Sequence, residues 1–104
     1  MATITPKFLG GITLTSTPTD AYVCPADTTT RVEHLIISNG STAGTVTVAF
    51  RRSSTDRELL NGYTITANGI LELFNVILEA GDSIRASATT TTGAKITLFG
   101  TESV

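Results

Sequence analysis

Apolar and polar positions alternate with a period of two along most of this chain. Thr45 to Arg51 is the clearest run, with Val46, Val48 and Phe50 on one face and Thr45, Thr47 and Arg51 on the other. The same period sets Ile12 and Leu14 against Thr13 and Thr15 in Phe8 to Thr15. It also sets Ile84, Ala86 and Ala88 against Ser83, Arg85 and Ser87. In Lys95 to Thr101, Ile96 and Leu98 share a face and Phe99 falls on the other, beside Thr97 and Thr101. Thr30 to Ser38 departs from this pattern. Its Leu35-Ile36-Ile37 core puts apolar groups on both faces, as in a strand that is central or covered by a subunit contact, and His34 falls on the side of Val32 and Ile36.

Turn residues punctuate these runs. Gly10-Gly11 marks a bend, Ser16 to Asp20 holds Pro18, and Pro25-Ala26-Asp27 follows the short extended piece Ala21-Tyr22-Val23. Asn39 to Gly44 reads as a hairpin loop and Arg52 to Glu58 as a charged crossover. Asn61-Gly62 reads as a turn between Leu59-Leu60 and Tyr63-Thr64-Ile65, and Asn68-Gly69 as a tight turn. A strand drawn from Gly69 to Leu78 ends at the hairpin-like corner Glu79 to Asp82, and Thr89 to Gly93 forms a further hairpin tip. No segment keeps a 3.6-residue apolar period long enough for a helix. The expected fold is all-β, a small β-sandwich of seven or eight short antiparallel strands, jelly-roll-like or immunoglobulin-like, with the topology left open. Residues 1–7, with Pro6, read as an extended N-terminal arm, and residues 8–104 as a single β-sandwich domain.

Composition sharpens this picture. A chain of 104 residues with 40% hydrophobic content supplies one core. A domain of this size buries only about two-thirds of its extended-chain surface, so contacts with further copies would add to its stability. About a fifth of the residues are Thr, a β-branched residue suited to the solvent face of a strand, and only 15% are charged. The net charge of −2 gives no basic footprint for nucleic acid. Arg51-Arg52, the one adjacent basic pair, is followed by Asp56 and Glu58 and reads as a solvated charged loop. Cys24 is the single cysteine, which precludes an intramolecular disulfide or a zinc framework. The first residues lack the pattern of a secretory signal, and no apolar run approaches the ~20 residues of a membrane span. Synthesis in the cytoplasm, with no membrane partner, is therefore expected.

Few residues are candidates for chemistry. His34 is the sole histidine, read as a partly buried structural side chain, and Cys24 as a small buried hydrophobe; a Cys24–His34 pair stays open. Asp56 with Glu58, or Glu79 with Asp82, offers carboxylates for calcium, but two surface carboxylates are commonplace. Neither nucleotide-binding glycine motif is present. With no Trp and only Tyr22 and Tyr63, stacking platforms for sugars are scarce. The reading is non-enzymatic, with no catalytic, metal or cofactor-binding residues.

Several stretches carry a resemblance. Tyr22-Val23-Cys24-Pro25-Ala26-Asp27-Thr28-Thr29, Val32 to Asn39, Val46-Thr47-Val48 and Leu78-Glu79-Ala80-Gly81-Asp82-Ser83-Ile84-Arg85 together resemble small structural proteins of tailed bacteriophages. Cys24 and Asp27 stand where that pattern often has Val and Gly; Asp tolerates turn geometry, so the fold is unaffected. The resemblance covers residues 12 to 101. It implies a virion component, a capsid decoration (cement) protein that sits on the outer capsid surface as a homotrimer, with itself and the major capsid protein as partners. Ile4, Pro6, Leu35, Ile37 and Phe99 are the expected subunit or capsid contacts. A tail or baseplate receptor-contact protein is the alternative within the same kind of particle, and a small hydrolase or lectin-like domain the alternative outside it.

Overall fold

In the computed structural model, which describes residues 4–89 and 93–104, the alternating runs become eight strands. They are β1 (Ile4–Thr13), β2 (Thr19–Val23), β3 (Thr29–Ser38), β4 (Gly44–Arg52), β5 (Thr55–Ile65), β6 (Ile70–Leu78), β7 (Ser83–Ala88) and β8 (Lys95–Ser103). The strands form two four-stranded sheets in the orders β1-β8-β3-β6 and β2-β7-β4-β5. First pairs with last and the series closes inward: β1 with β8, β2 with β7, β3 with β6, β4 with β5, all antiparallel. This is a long hairpin folded over into two sheets, the jelly-roll arrangement, which settles the topology that the alternation alone left open.

Every connection except β4–β5 passes from one sheet to the other. The Asn39–Gly44 loop and the Glu79–Asp82 turn are therefore corners of the sandwich, and not hairpins as their composition implies. The Thr89–Gly93 segment also joins strands of different sheets; its residues 90–92 lie outside the described residues. Corner and hairpin use the same residues because both need tight backbone geometry, and only long-range pairing distinguishes them. The one hairpin among the described residues, β4–β5, falls in the segment that reads as a charged crossover. It turns at Ser53 and Ser54, whose φ values of 52° and 63° are the positive pair of a type I′ turn, from residues that seldom announce one. Asn61-Gly62, expected to be a turn, lies inside β5. There the N–H of Gly62 donates to Thr47 Oγ1 at 3.0 Å, across an irregularity in the β4–β5 ladder. Asn68, with φ 57°, and Gly69 do turn the chain between β5 and β6.

The core lies between the sheets. Val32, Leu35 and Ile37 of β3, Leu78 of β6, and Ile96 and Leu98 of β8 meet Val46 and Val48 of β4 and Ile84 of β7, all at 1% exposure or less. Each such side chain contributes about 1.5–3 kcal/mol by leaving water. β1 starts at Ile4 rather than Phe8, so residues 4 to 7, read as part of an arm, are paired to β8 from Ile4 opposite Ser103 to Lys7 opposite Gly100. Pro6 does not prevent this, because β1 is an edge strand and a proline can turn its missing donor away from the ladder.

One crease sets the faces of the first sheet. β3 gains a residue against β8 between Val32 and His34, and β1 gains one between Phe8 and Gly10. Asn75 of β6, opposite the same place, has a left-handed φ of 58°. The extra residue, Glu33, reverses the phase of β3: Thr30 and Val32 point inward before it, Leu35 and Ile37 after it. Unbroken alternation places His34 with Val32 and Ile36. The bulge instead leaves His34 outside, and this is why the strand reads as apolar on both faces.

Candidate interaction surface

The crease lines up four rings on the outer face of the β1-β8-β3-β6 sheet. Phe8 is paired with Phe99, Phe99 with His34, and His34 with Phe74, one residue from each strand in sheet order. The Phe8 and Phe99 rings meet edge to face with centroids 5.8 Å apart, and the His34 and Phe74 rings stack 4.8 Å apart and 7° from parallel. Such contacts hold the rings in place. They do not bury them, for Phe8 is 56% exposed, Phe74 59% and Phe99 42%. His34 Nε2 also lies 2.7 Å from Glu72 Oε2, two residues along β6 on the same face.

More apolar surface surrounds this row. Ile4, Ile70 and Ile77 are exposed on β1 and β6, so six of the ten large hydrophobics left exposed belong to this sheet. Beside the ring row, Ile4, Arg31, Ile77 and Thr101 line a shallow open depression. The outer face of the β2-β7-β4-β5 sheet is different in kind. Arg85 is bonded to Asp20 at 3.2 Å and Arg51 to Asp56 at 3.3 Å, and Thr47 and Ser87, paired with each other, lie on the far side of Arg85 from Arg51. A sandwich core needs only the inner faces to be apolar, so the rings clustered on one outer face are not required by the fold itself.

The structure places the expected contact residues in two groups. Ile4, Pro6 and Phe99 share the ring-bearing face, since Ile4, Pro6 and Phe8 fall at alternate positions of β1, opposite Ser103, Thr101 and Phe99. Leu35 and Ile37 do not belong with them. Both are fully buried inside the sandwich, turned there by the Glu33 bulge, and present no surface to another molecule. Phe8, His34 and Phe74, the other three rings of the row, are not among the residues expected from the sequence. Two signals pointed to them: Gly100 within the β8 run, since a glycine inside a strand often marks a bulge, and Asn75 between Phe74 and Val76.

Cys24 and His34 are not brought together. Cys24 is buried between the sheets, where its Sγ lies 3.2 Å from Thr30 Oγ1 and 3.3 Å from the Thr28 carbonyl oxygen, whereas His34 sits on the outer face of β3. Thr30 Oγ1 is also 2.8 Å from the hydroxyl of Tyr22, which in turn bonds Glu102. Burial, reinforced by the Glu102 carboxylate, holds the Tyr22 hydroxyl in its protonated form well above the usual phenol range.

The carboxylates read as calcium candidates are engaged otherwise. Arg52 donates to both oxygens of Asp82, at 3.0 and 2.6 Å, and reaches Glu79 at 3.3 Å, so its guanidinium occupies the position between them. The Asp82 side chain is 5% exposed against 51% for Arg52. It also accepts the Glu79 N–H at 2.8 Å. Arg52, and secondarily that amide, holds the Asp82 carboxyl below the usual range against the opposing effect of burial. Backbone bonds from Cys24 N–H to Asp82 and from Gly81 N–H to Cys24 then fasten this corner to the Cys24-Pro25 turn. Arg52, read as part of a solvated loop, is thus a structural clamp. Asp56 is paired with Arg51, and among the described residues no group of three or more His, Cys, Asp or Glu is placed to hold a metal ion.

No protein-family model matches the chain, and no curated protein matches it. Among solved structures, a chain in the structure of infectious bursal disease virus, Gx strain, is similar at 9% identity with a TM-score of 0.44. That similarity covers 98% of this chain and 29% of the viral one, so this chain spans less than a third of that chain's length. A likeness of this size carries no statement about function.

Proposed function

We propose that this protein is a non-enzymatic virion structural protein, a capsid decoration protein that binds the outer capsid surface as a homotrimer and stabilises it through protein contacts. The observation that carries a contact role is the row Phe8, Phe99, His34 and Phe74 on one exposed sheet face, opposite a second face of ion pairs and hydroxyls. A jelly roll supports many functions, so the fold does not choose among them. The choice of a phage particle rests on the sequence resemblance, whose Leu78–Arg85 segment forms the clamped corner between β6 and β7. His34 is engaged by Glu72 and Phe74, and Cys24 is enclosed by the core, which favours binding over catalysis.

The test is to incubate fluorescently labelled protein with particles that lack it and locate the label by microscopy. Labelling over the whole head, with heads surviving heat or low salt longer, is the expected result. Labelling confined to the tail would replace decoration with the tail or baseplate reading, and no binding to any part of the particle would reject both.

A further inference from the structure

We infer that Asn61 is a site of spontaneous deamidation, at which the backbone nitrogen of Gly62 attacks the Asn61 side-chain amide and converts this residue to aspartate and isoaspartate ahead of every other asparagine. This chemistry belongs to the chain itself and does not depend on its place in a particle.

Three of the four asparagines, Asn39, Asn61 and Asn68, precede a glycine. That dipeptide suits the reaction best, because no Cβ shields the attacking nitrogen and the backbone turns most freely at glycine. The glycine N–H gives up its proton and an N–Cγ bond forms. The Cγ–Nδ2 bond breaks, the leaving nitrogen takes up a proton and departs as ammonia, and a five-membered succinimide remains. Water then opens the ring at either carbonyl, giving aspartate or isoaspartate, whose main chain is longer by one methylene. Water is the only co-reactant. The fourth asparagine, Asn75, precedes Val76, whose branched side chain shields its nitrogen.

With the dipeptide the same at three places, the fold ranks them. At Asn39 the leaving group is fixed, since Nδ2 donates to the carbonyl oxygens of Thr42 at 2.9 Å and Thr66 at 2.8 Å. Its Oδ1 is buried without a donor to receive the negative charge that attack would place on it. At Asn68 the nucleophile is fixed instead. The Gly69 N–H donates to the Thr66 carbonyl at 2.9 Å, and the Gly69 carbonyl accepts the Asn39 N–H at 2.9 Å. A Cβ on Gly69 would stand 2.6 Å from Thr66 Oγ1, so this peptide has little room to turn.

Asn61 escapes these restraints. Asn61 and Gly62 face Thr47 at the irregularity between the pairs Val46–Tyr63 and Val48–Leu60, and neither has a paired residue in β4. β5 is an edge strand, so no ladder holds its other side. Asn61 is exposed, and its side chain has no hydrogen-bond partner among the described residues. Gly62, at φ 61°, has open space where a Cβ would stand. The hydroxyl of Thr47, which accepts the Gly62 N–H at 3.0 Å, is the latch on the attacking nitrogen.

Site-resolved mass spectrometry of protein aged at mildly alkaline pH tests this, with fragmentation to separate Asn61 from Asn68. In the folded protein Asn61 is expected to convert at least about tenfold faster than Asn39 or Asn68, and in urea the three rates should converge. Thr47→Val should speed conversion at Asn61 about fivefold, the factor that one ordinary hydrogen bond supplies, without changing Asn39 or Asn68. Thr47→Ser, which keeps the hydroxyl, should convert as the wild type does. Faster conversion at Asn39 or Asn68 overturns the inference. So does an order of rates that persists in urea, or a folded Thr47→Val protein in which Asn61 converts at the wild-type rate.

Discussion

Gly100 of β8 lies so close beneath β3 that a Cβ atom at this position would stand 1.9 Å from the carbonyl oxygen of Arg31. The absent side chain lets the Arg31–Glu33 backbone settle onto β8 and form the bulge that turns His34 outward and Leu35 inward. The ring row therefore depends on a glycine that is not in it. Gly100→Ala is expected to cost at least about 3 kcal/mol, since neighbouring backbone and not a flexible side chain must move. Chemical denaturation measures this. A variant that folds should also lose the ring-current shifts between His34 and Phe74, and wild-type stability with those shifts intact would contradict the role given to Gly100.

The clamp at the β6–β7 corner predicts a pH dependence. The carboxyl of Asp82 is held below its unfolded-state value of about 3.9, so its contribution to stability is complete above that value and disappears as pH falls through the lower folded value. Asp82→Asn is expected to lose about 1.5 kcal/mol at neutral pH, the low end of the range for a hydrogen bond to a charged group because Arg52 is half exposed. The stability difference between wild type and variant should narrow below about pH 4. Urea titrations across this range measure it, and a difference that stays constant down to pH 2 would exclude the Arg52–Asp82 pair as its source.

The only hairpin among the described residues is built from residues poorly suited to it. Ser53 and Ser54 both adopt positive φ, a conformation that Asn-Gly reaches at lower cost. Replacing the pair, Ser53→Asn with Ser54→Gly, is expected to raise stability by about 0.5–1 kcal/mol. The melting temperature should rise by a few degrees, whereas a fall would mean that the serine side chains contribute contacts of their own.

Local physics and long-range pairing were unequally legible in the sequence. The strands follow from alternation, as in β4, where Val46 and Val48 are buried as the period requires. The outward position of Phe99 was readable for the same reason. Pairing was not readable: Asn39–Gly44 has the composition of a hairpin, yet joins strands in different sheets, because a loop's residues specify its tightness and not its destination. Leu35 and Ile37, which the sequence presents as contact residues, are fully buried. A single inserted residue reverses every side chain beyond it, and its cause, Gly100, lies 67 positions from Glu33 along the chain. The Arg52–Asp82 clamp is hidden for a similar reason, since 30 residues separate its members.

A density map of the protein bound to its particle tests the central claim, that the ring-bearing sheet is the contact face, most directly. The account predicts Phe8, Phe74 and Phe99 packed against neighbouring protein, with the Asp20, Arg85 and Arg51 face of the other sheet turned to solvent. A map in which the row of rings faces solvent while the β2-β7-β4-β5 face makes the contacts would contradict it.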